Sequence, residues 1–193
     1  MENDATGLPM ELTMDTLPLS RAFTLLEPGP LVLITTHDGR RNNVMPLSWS
    51  MVLDFSASFA ITTGPWNHSF TALDKTRECV IAIPTVDMID TAIAAGICSG
   101  ADTDKFATLP LTPLKASHVR APLIRECLAN IECRVVDMIE RHNIIVLEGI
   151  AAWIDPDRTE QRTIHAVGDG TFVVDGQQID RRDMMRSKLP DGI

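Results

Sequence analysis

Three polar runs in an otherwise apolar stretch carry donors and acceptors from which a site could be assembled. Asn42-Asn43-Val44-Met45-Pro46-Leu47-Ser48-Trp49-Ser50 places amides and hydroxyls between two apolar strands. Thr62-Thr63-Gly64-Pro65-Trp66-Asn67-His68-Ser69-Phe70 is a Gly-Pro turn that feeds polar residues into a helix start. Glu78-Cys79-Val80-Ile81-Ala82-Ile83-Pro84 reads as a strand stopped by proline. At the helix start, free backbone N–H groups and the positive end of the helix dipole favour an anion such as phosphate. An Asn or Ser there equally serves as an ordinary N-cap. Taken together, the three runs form a cradle suited to a flat, phosphorylated ligand.

The elements that must position these runs follow from pattern. Residues 1–19 lack periodicity and read as an N-terminal arm, and Ser20 caps a short helix over Arg21 to Leu26. Leu31 to Thr36 is a β-branched strand, and Asp38-Gly39 turns it into a returning strand, Asn43 to Leu47. Pro46 cannot donate to a ladder, which puts that strand at a sheet edge or interrupts it. Strands follow at Trp49 to Leu53, Ser58 to Thr63 and 79–83, with a helix over 69–76.

Thr85 caps a helix from Val86 to Cys98, whose Met88, Ile89, Ala92, Ile93 and Ile97 form an apolar stripe for core or subunit packing. A further helix starts at Asp102 to Phe106, and Leu109 to Pro122 is loop or short strands. Two long strands, Ala129 to Ile139 and Asn143 to Ile154, are joined at Glu140-Arg141-His142. In the first, Ile131, Cys133 and Val135 alternate with Glu132, Arg134 and Val136, the period of a half-buried strand. Thr171 to Val174 and Gln177 to Ile179 read as a terminal hairpin, and 181–193 as a polar C-terminal tail.

With no regular β-α-β alternation, the pattern predicts a mainly β fold with helical excursions: a closed antiparallel Greek-key (split) β-barrel in a single domain, 1–193. At 193 residues the chain suffices for one well-cored domain. A net charge of −9 without a dense basic cluster argues against nucleic acid and against anionic membrane. The acidic N-terminus is unlike a secretory signal, and the most apolar segment, 144–154, is too short to span a bilayer. The four cysteines have no C-x-x-C spacing and read as reduced thiols of a cytoplasmic protein. The five histidines lack ligand spacing, so no metal is expected. Neither G-x-G-x-x-G nor G-x-S-x-G occurs.

The ordered set Asn43 to Trp49, Asn67-His68-Ser69, Glu78 to Ile81, Ser99-Gly100 and Asp104-Lys105-Phe106 resembles the flavin reductase and flavoredoxin family of FMN-binding split-barrel proteins, from about Leu31 to Phe172. The resemblance implies FMN as cofactor. It places Asn43, Val44, Met45, Pro46, Leu47, Ser48, Trp49 and Ser50 along the isoalloxazine, with Thr63, Asn67, His68 and Ser69 at the phosphate. Ser99, Gly100, Lys105 and Phe106 would close the site, Lys105 offering a cation, and Trp49 and Trp66 would shield the ring or the ribityl chain.

NADH or NADPH would be the hydride donor, His165 the catalytic residue near the nicotinamide, and the protein a homodimer with its flavin near the interface. The reduced flavin would serve a monooxygenase or another electron acceptor. A flavoredoxin-type electron carrier with tightly bound FMN and a non-catalytic FMN-binding protein are the alternatives. Two positions depart from the family pattern. Pro46 stands where Thr or Ser is common, and Ala166-Val167 where an Arg-Gly pair often follows the histidine, a change that bears on dinucleotide use.

Overall fold

A computed structural model describes residues 29–189; the expected N-terminal arm, the helix at 21–26 and the last four residues lie outside that range. In chain order the strands are β1 (Gly29–Pro30), β2 (Val32–His37), β3 (Asn42–Leu47), β4 (Ser50–Val52), β5 (Ser58–Thr62), β6 (Glu78–Ile83), β7 (Pro113–Leu114), β8 (Leu123–Ile124), β9 (Ala129–Ile139), β10 (Ile144–Ile154), β11 (Ile164–Ala166) and β12 (Phe172–Val174). The α-helices are α1 (His68–Thr76), α2 (Ile89–Ile97), α3 (Lys105–Thr108) and α4 (Arg182–Met185).

Seven strands form one antiparallel sheet in the order β3-β2-β6-β9-β10-β5-β4. Six spacings of about 4.8 Å would hold the edges of a flat sheet about 29 Å apart. Yet only Ser48 and Trp49 separate edge strand β3 from edge strand β4, and three Cα steps reach at most about 11 Å. The sheet must therefore curl until its edges approach one another. Six antiparallel steps also leave β3 and β4 running in the same sense, so Asn42 to Val52 is one bent strand that serves both edges. Two register shifts in the β9/β10 ribbon, at Val146/Leu147 and Gly149/Ala151, supply local bending.

The result is a curled half-barrel consistent with a split barrel. Among the described residues the ladder stops at β3 and β4, so the closed barrel expected from the sequence is not completed by hydrogen bonds. Pro46 lies on the edge strand, opposite Leu33, as its missing N–H requires.

Alternation along the strands fills two cores. Val32, Ile34, Met45, Leu47, Ile61, Ile145 and Leu147 face the inside of the curl, with Leu73 of α1 among them. Leu33, Val44 and Ala82 face the other way, under Ala92 and Ala95 of α2. Strand β2 is thus covered on both faces, and its apolar run is continuous.

Three expectations change. Glu132 is fully buried rather than solvent-facing, because the loop at 116–119 folds over it. Strand β12 pairs backwards with β11, not forwards with 177–179, because Gly168 and Gly170 take positive φ and make the turn before it. Residues 86–98 start as a 3-10 turn and become helical only from Ile89; the Thr85 side chain caps no N–H and instead donates to Asp87.

Candidate functional site

The turn before α1 is built from the inside out. Thr63 donates its N–H to the Asn143 carbonyl at 3.0 Å, and Asn67 donates its N–H to the Gly64 carbonyl at 2.9 Å. Asn67 sits at the N-cap position, but its side chain caps nothing; it donates to the Thr63 hydroxyl at 3.0 Å. The first turn of the helix therefore keeps backbone N–H groups that no cap side chain takes. Beside it, the Asn43 amide donates to the buried Ser69 hydroxyl at 2.8 Å.

Asn43, Asn67 and Ser69 line a cleft of about 310 Å³ between β3, the start of α1, the end of α2 and the start of α3, whereas Thr63, expected at the phosphate, lines a separate hollow with Phe70 and Asn143. Ten of the residues singled out in the sequence meet in the cleft: Asn43, Met45, Pro46, Trp66, Asn67, His68, Ser69, Ser99, Gly100 and Lys105. Gly100 lies so close to Asn43 that a Cβ would stand 2.2 Å from its Oδ1. Gly96 of α2 similarly approaches Pro46: a Cβ added there would stand 2.9 Å from its ring. Small residues thus let two backbone segments close on the same strand.

Lys105 enters the cleft wall differently from the expectation of a free cation. Its side chain is buried, and its ammonium donates to the carbonyls of Val44 at 2.9 Å and Ala95 at 2.6 Å, clamping β3 to α2. Burial pulls it below the usual lysine range. An ammonium has three donors, so one is left over from this clamp.

Ser48, Trp49 and Ser50 fall into a second hollow, of about 560 Å³, with Met51, Leu53, Ala60, Ile139, Ile144 and Val146. Its walls are mostly apolar, and only Leu47 separates its first residue from Pro46 of the cleft, about 7 Å of extended chain. Trp49 is about half exposed and holds its place through its carbonyl, which accepts from the Thr62 N–H at 2.9 Å.

Val44 and Leu47 are core residues, and Phe106 packs against the α2 core. His165 lines neither hollow. It lies on β11 and shares a 2.8 Å hydrogen bond with Asp175, whose carboxyl is held low by the Thr163 hydroxyl first and by His165 after it.

Sequence reading missed Thr36. It pairs with Asn43 across the β2/β3 ladder, is fully buried, and its hydroxyl has no partner. It also missed Ala95 and Cys98 in the cleft wall; a helix ending just before Ser99-Gly100 was the available signal. Among the described residues no helix is long and apolar enough to cross a membrane, and no three His, Cys, Asp or Glu residues gather at metal-binding distance.

The donor set suits an anion joined to a flat ring: helix-start amides, a hydroxyl and a side-chain amide at one end, and an apolar hollow with two serines at the other. An uncapped helix start, a glycine-tight cradle and an orphaned hydroxyl behind it all fit a phosphorylated flavin.

Residues 25–171 match the family model described as a flavin reductase like domain. An uncharacterized protein of Escherichia coli K12, YddH, is 29% identical over 182 residues, which cover 84% of this chain and 95% of that protein. Flavoredoxin of Desulfovibrio vulgaris (Miyazaki F) superposes with a TM-score of 0.74 at 25% identity, covering 90% of this chain and 97% of that one. An FMN-binding domain of a flavin reductases-like enzyme from Shewanella baltica OS155 does so with a TM-score of 0.73 at 21% identity, covering 86% and 95%.

Proposed function

The chain belongs to the flavin reductase-like family, and on that premise we propose that it binds FMN and works as an NAD(P)H:flavin oxidoreductase. The observation that carries the reading is the cleft in which the uncapped start of α1, Ser69, Asn43 and Gly100 converge. In this reading the N–H groups of His68 and Ser69 and the side chains of Asn67 and Ser69 hold the phosphate. Asn43 orients the Ser69 hydroxyl, and Lys105 fixes the wall and turns its remaining N–H toward the ligand. Ser48 and Ser50 hydrogen-bond the polar edge of the ring, and the apolar residues of the second hollow exclude water from it.

A bound flavin would supply the redox chemistry, with a reduced nicotinamide as the source of hydride. His165 orients the donor's carboxamide, and Asp175 fixes the imidazole. The exposed Trp49, Met51 and Leu53 supply the contact surface of a homodimer. The four free cysteines suit a cytoplasmic location, and a monooxygenase or another electron acceptor takes the electrons.

A second reading, an electron carrier that retains its FMN, is supported by the likeness to flavoredoxin. An absorbance spectrum with and without added FMN, followed by anaerobic NADH and then NADPH, separates the two. Bleaching of the flavin band by either donor supports the reductase. Bound flavin that neither donor reduces supports the carrier, and no flavin binding defeats both.

A further inference from the structure

The face of the β2/β3 hairpin turned away from the cleft has a hollow of its own, of about 460 Å³. Asn43 lines the cleft and its neighbour Asn42 lines this hollow, because successive side chains of a strand point to opposite faces. Apolar side chains of the segment 113–122, Leu114, Val119 and Pro122 among them, form its walls. Its polar lining is His37, Asn42, Lys115 and Arg120.

The segment that carries both cations is tied to three strands of the sheet. Buried Glu132 of β9 accepts the N–H groups of Ser117, His118 and Val119 at 3.0, 2.6 and 3.2 Å. Glu78 of β6 accepts the Arg120 N–H at 3.1 Å, and Thr35 of β2 donates its hydroxyl to the Pro122 carbonyl at 2.6 Å. A backbone held in this way is ordered before any ligand arrives, which lowers the entropy lost on binding. Lys115 and Arg120 are exposed, and no ion pair among the described residues takes up either side chain. His37 accepts the Gly39 N–H at Nδ1, at 3.0 Å, so the neutral ring carries its proton on Nε2 as a further donor. Among the described residues no carboxylate lines the hollow, although the whole chain carries a net charge of −9. The Asp38 carboxylate, beside His37, is turned to the N–H groups of Arg40 and Arg41.

We propose that this hollow binds a small organic dianion with an apolar body. The anionic groups meet Lys115 and Arg120, whose guanidinium suits bidentate contact with an oxyanion, and the body lies against Leu114, Val119 and Pro122. The volume falls within the range of small-molecule pockets, about 300–1,000 Å³. This site goes beyond the flavin reading and does not depend on it.

The test titrates phthalate and phenyl phosphate by calorimetry into the full chain, with and without FMN, and into Lys115→Gln, Arg120→Gln and Arg125→Gln. All three side chains are exposed, so no substitution empties the core. Arg125 does not line the hollow and controls for the change in net charge. At least one of the two probes is expected to bind, equally with and without FMN. Lys115→Gln and Arg120→Gln are each expected to weaken it about tenfold, the size of one lost charge-assisted hydrogen bond, and Arg125→Gln to leave it unchanged. Dimethyl phthalate, the same body without charge, is expected not to bind.

Tighter phthalate identifies a dicarboxylate as the natural charge pattern, and tighter phenyl phosphate a phosphate monoester; either supports the proposal. Failure of both probes to bind overturns it. So does binding that FMN displaces, which would belong to the cleft, and so does binding that survives both Lys115→Gln and Arg120→Gln or falls equally in Arg125→Gln.

Discussion

Asn43 on the edge strand and Ser69 in the first turn of α1 are joined by a hydrogen bond of 2.8 Å between buried side chains. It is a direct polar tie between the sheet and the helix that walls the cleft. Ser69→Ala leaves the Asn43 amide buried without its partner, at a cost of about 1–3 kcal/mol. Adding Asn43→Ala is expected to cost less than the sum of the single changes, as coupled neighbours do. Urea melts of the two single variants and the double variant check this, and strict additivity would show that the two residues act independently.

Gly100→Ala pushes a methyl group to within 2.2 Å of Asn43 Oδ1. Asn43 must then swing off Ser69, so stability falls by about 1–3 kcal/mol, as overpacking does, and FMN affinity falls with it. Gly176→Ala is the control, since nothing stands within 4 Å of its added Cβ. Equal flavin titrations for the two variants would remove Gly100 from the cradle.

Thiol chemistry reports cleft occupancy. Cys79, Cys127 and Cys133 are buried, and Cys98 is half-buried in the cleft wall. Pairing with the Cys133 thiol, which favours the protonated form, and then burial push the Cys79 thiol up, and burial does the same for Cys127. Iodoacetamide at mild alkaline pH therefore labels Cys98 first, because the thiolate is the reactive form. Bound FMN slows that labelling. Mass spectrometry of the alkylated peptides with and without FMN reads both effects, and unprotected Cys98 would place the ligand elsewhere.

Glu132 predicts a pH dependence of stability. Burial works to raise its pKa, but donors from the Ser117 N–H, the Trp153 indole and the N–H groups of His118 and Val119 outweigh it and hold the carboxyl below its usual range. A depressed folded-state pKa gives stability that is present above the unfolded value, about 4.3, and is lost as pH falls through the folded value. Glu132→Gln is expected to lower stability at neutral pH by about 2–3 kcal/mol, as loss of hydrogen bonds to a charge does. It also flattens the acid limb. An unchanged slope of unfolding free energy against pH in the variant would refute the assignment.

Much of this was legible because it is local. The Asp38-Gly39 hairpin, the β9/β10 ribbon, the edge position of Pro46 and the start of α1 follow from turn chemistry, alternation and the proline N–H. What escaped depends on segments far apart in sequence. Period two placed Glu132 outside, since nothing in the strand reveals that 116–119 will cover it. Lys105 read as a free cation offered to the ligand because the two carbonyls that bury it, those of Val44 and Ala95, belong to other elements. The residues around Asn43 were expected along one ligand face. Alternation instead sends Val44 and Leu47 into core, and the bend at Ser48 carries its neighbours into a second hollow.

The bent strand also sets the order in which this chain can be completed as it is made. Its β3 half finds β2 as soon as the first hairpin emerges, but β5, on which its β4 half lies, pairs with β10, about 80 residues downstream. At a synthesis rate of about 5–20 residues per second, the outer edge of β5 stays unpaired for several seconds. A nascent chain stalled before Ile144 therefore displays an open strand edge beside Trp49 and Met51, a place where another chain could pair.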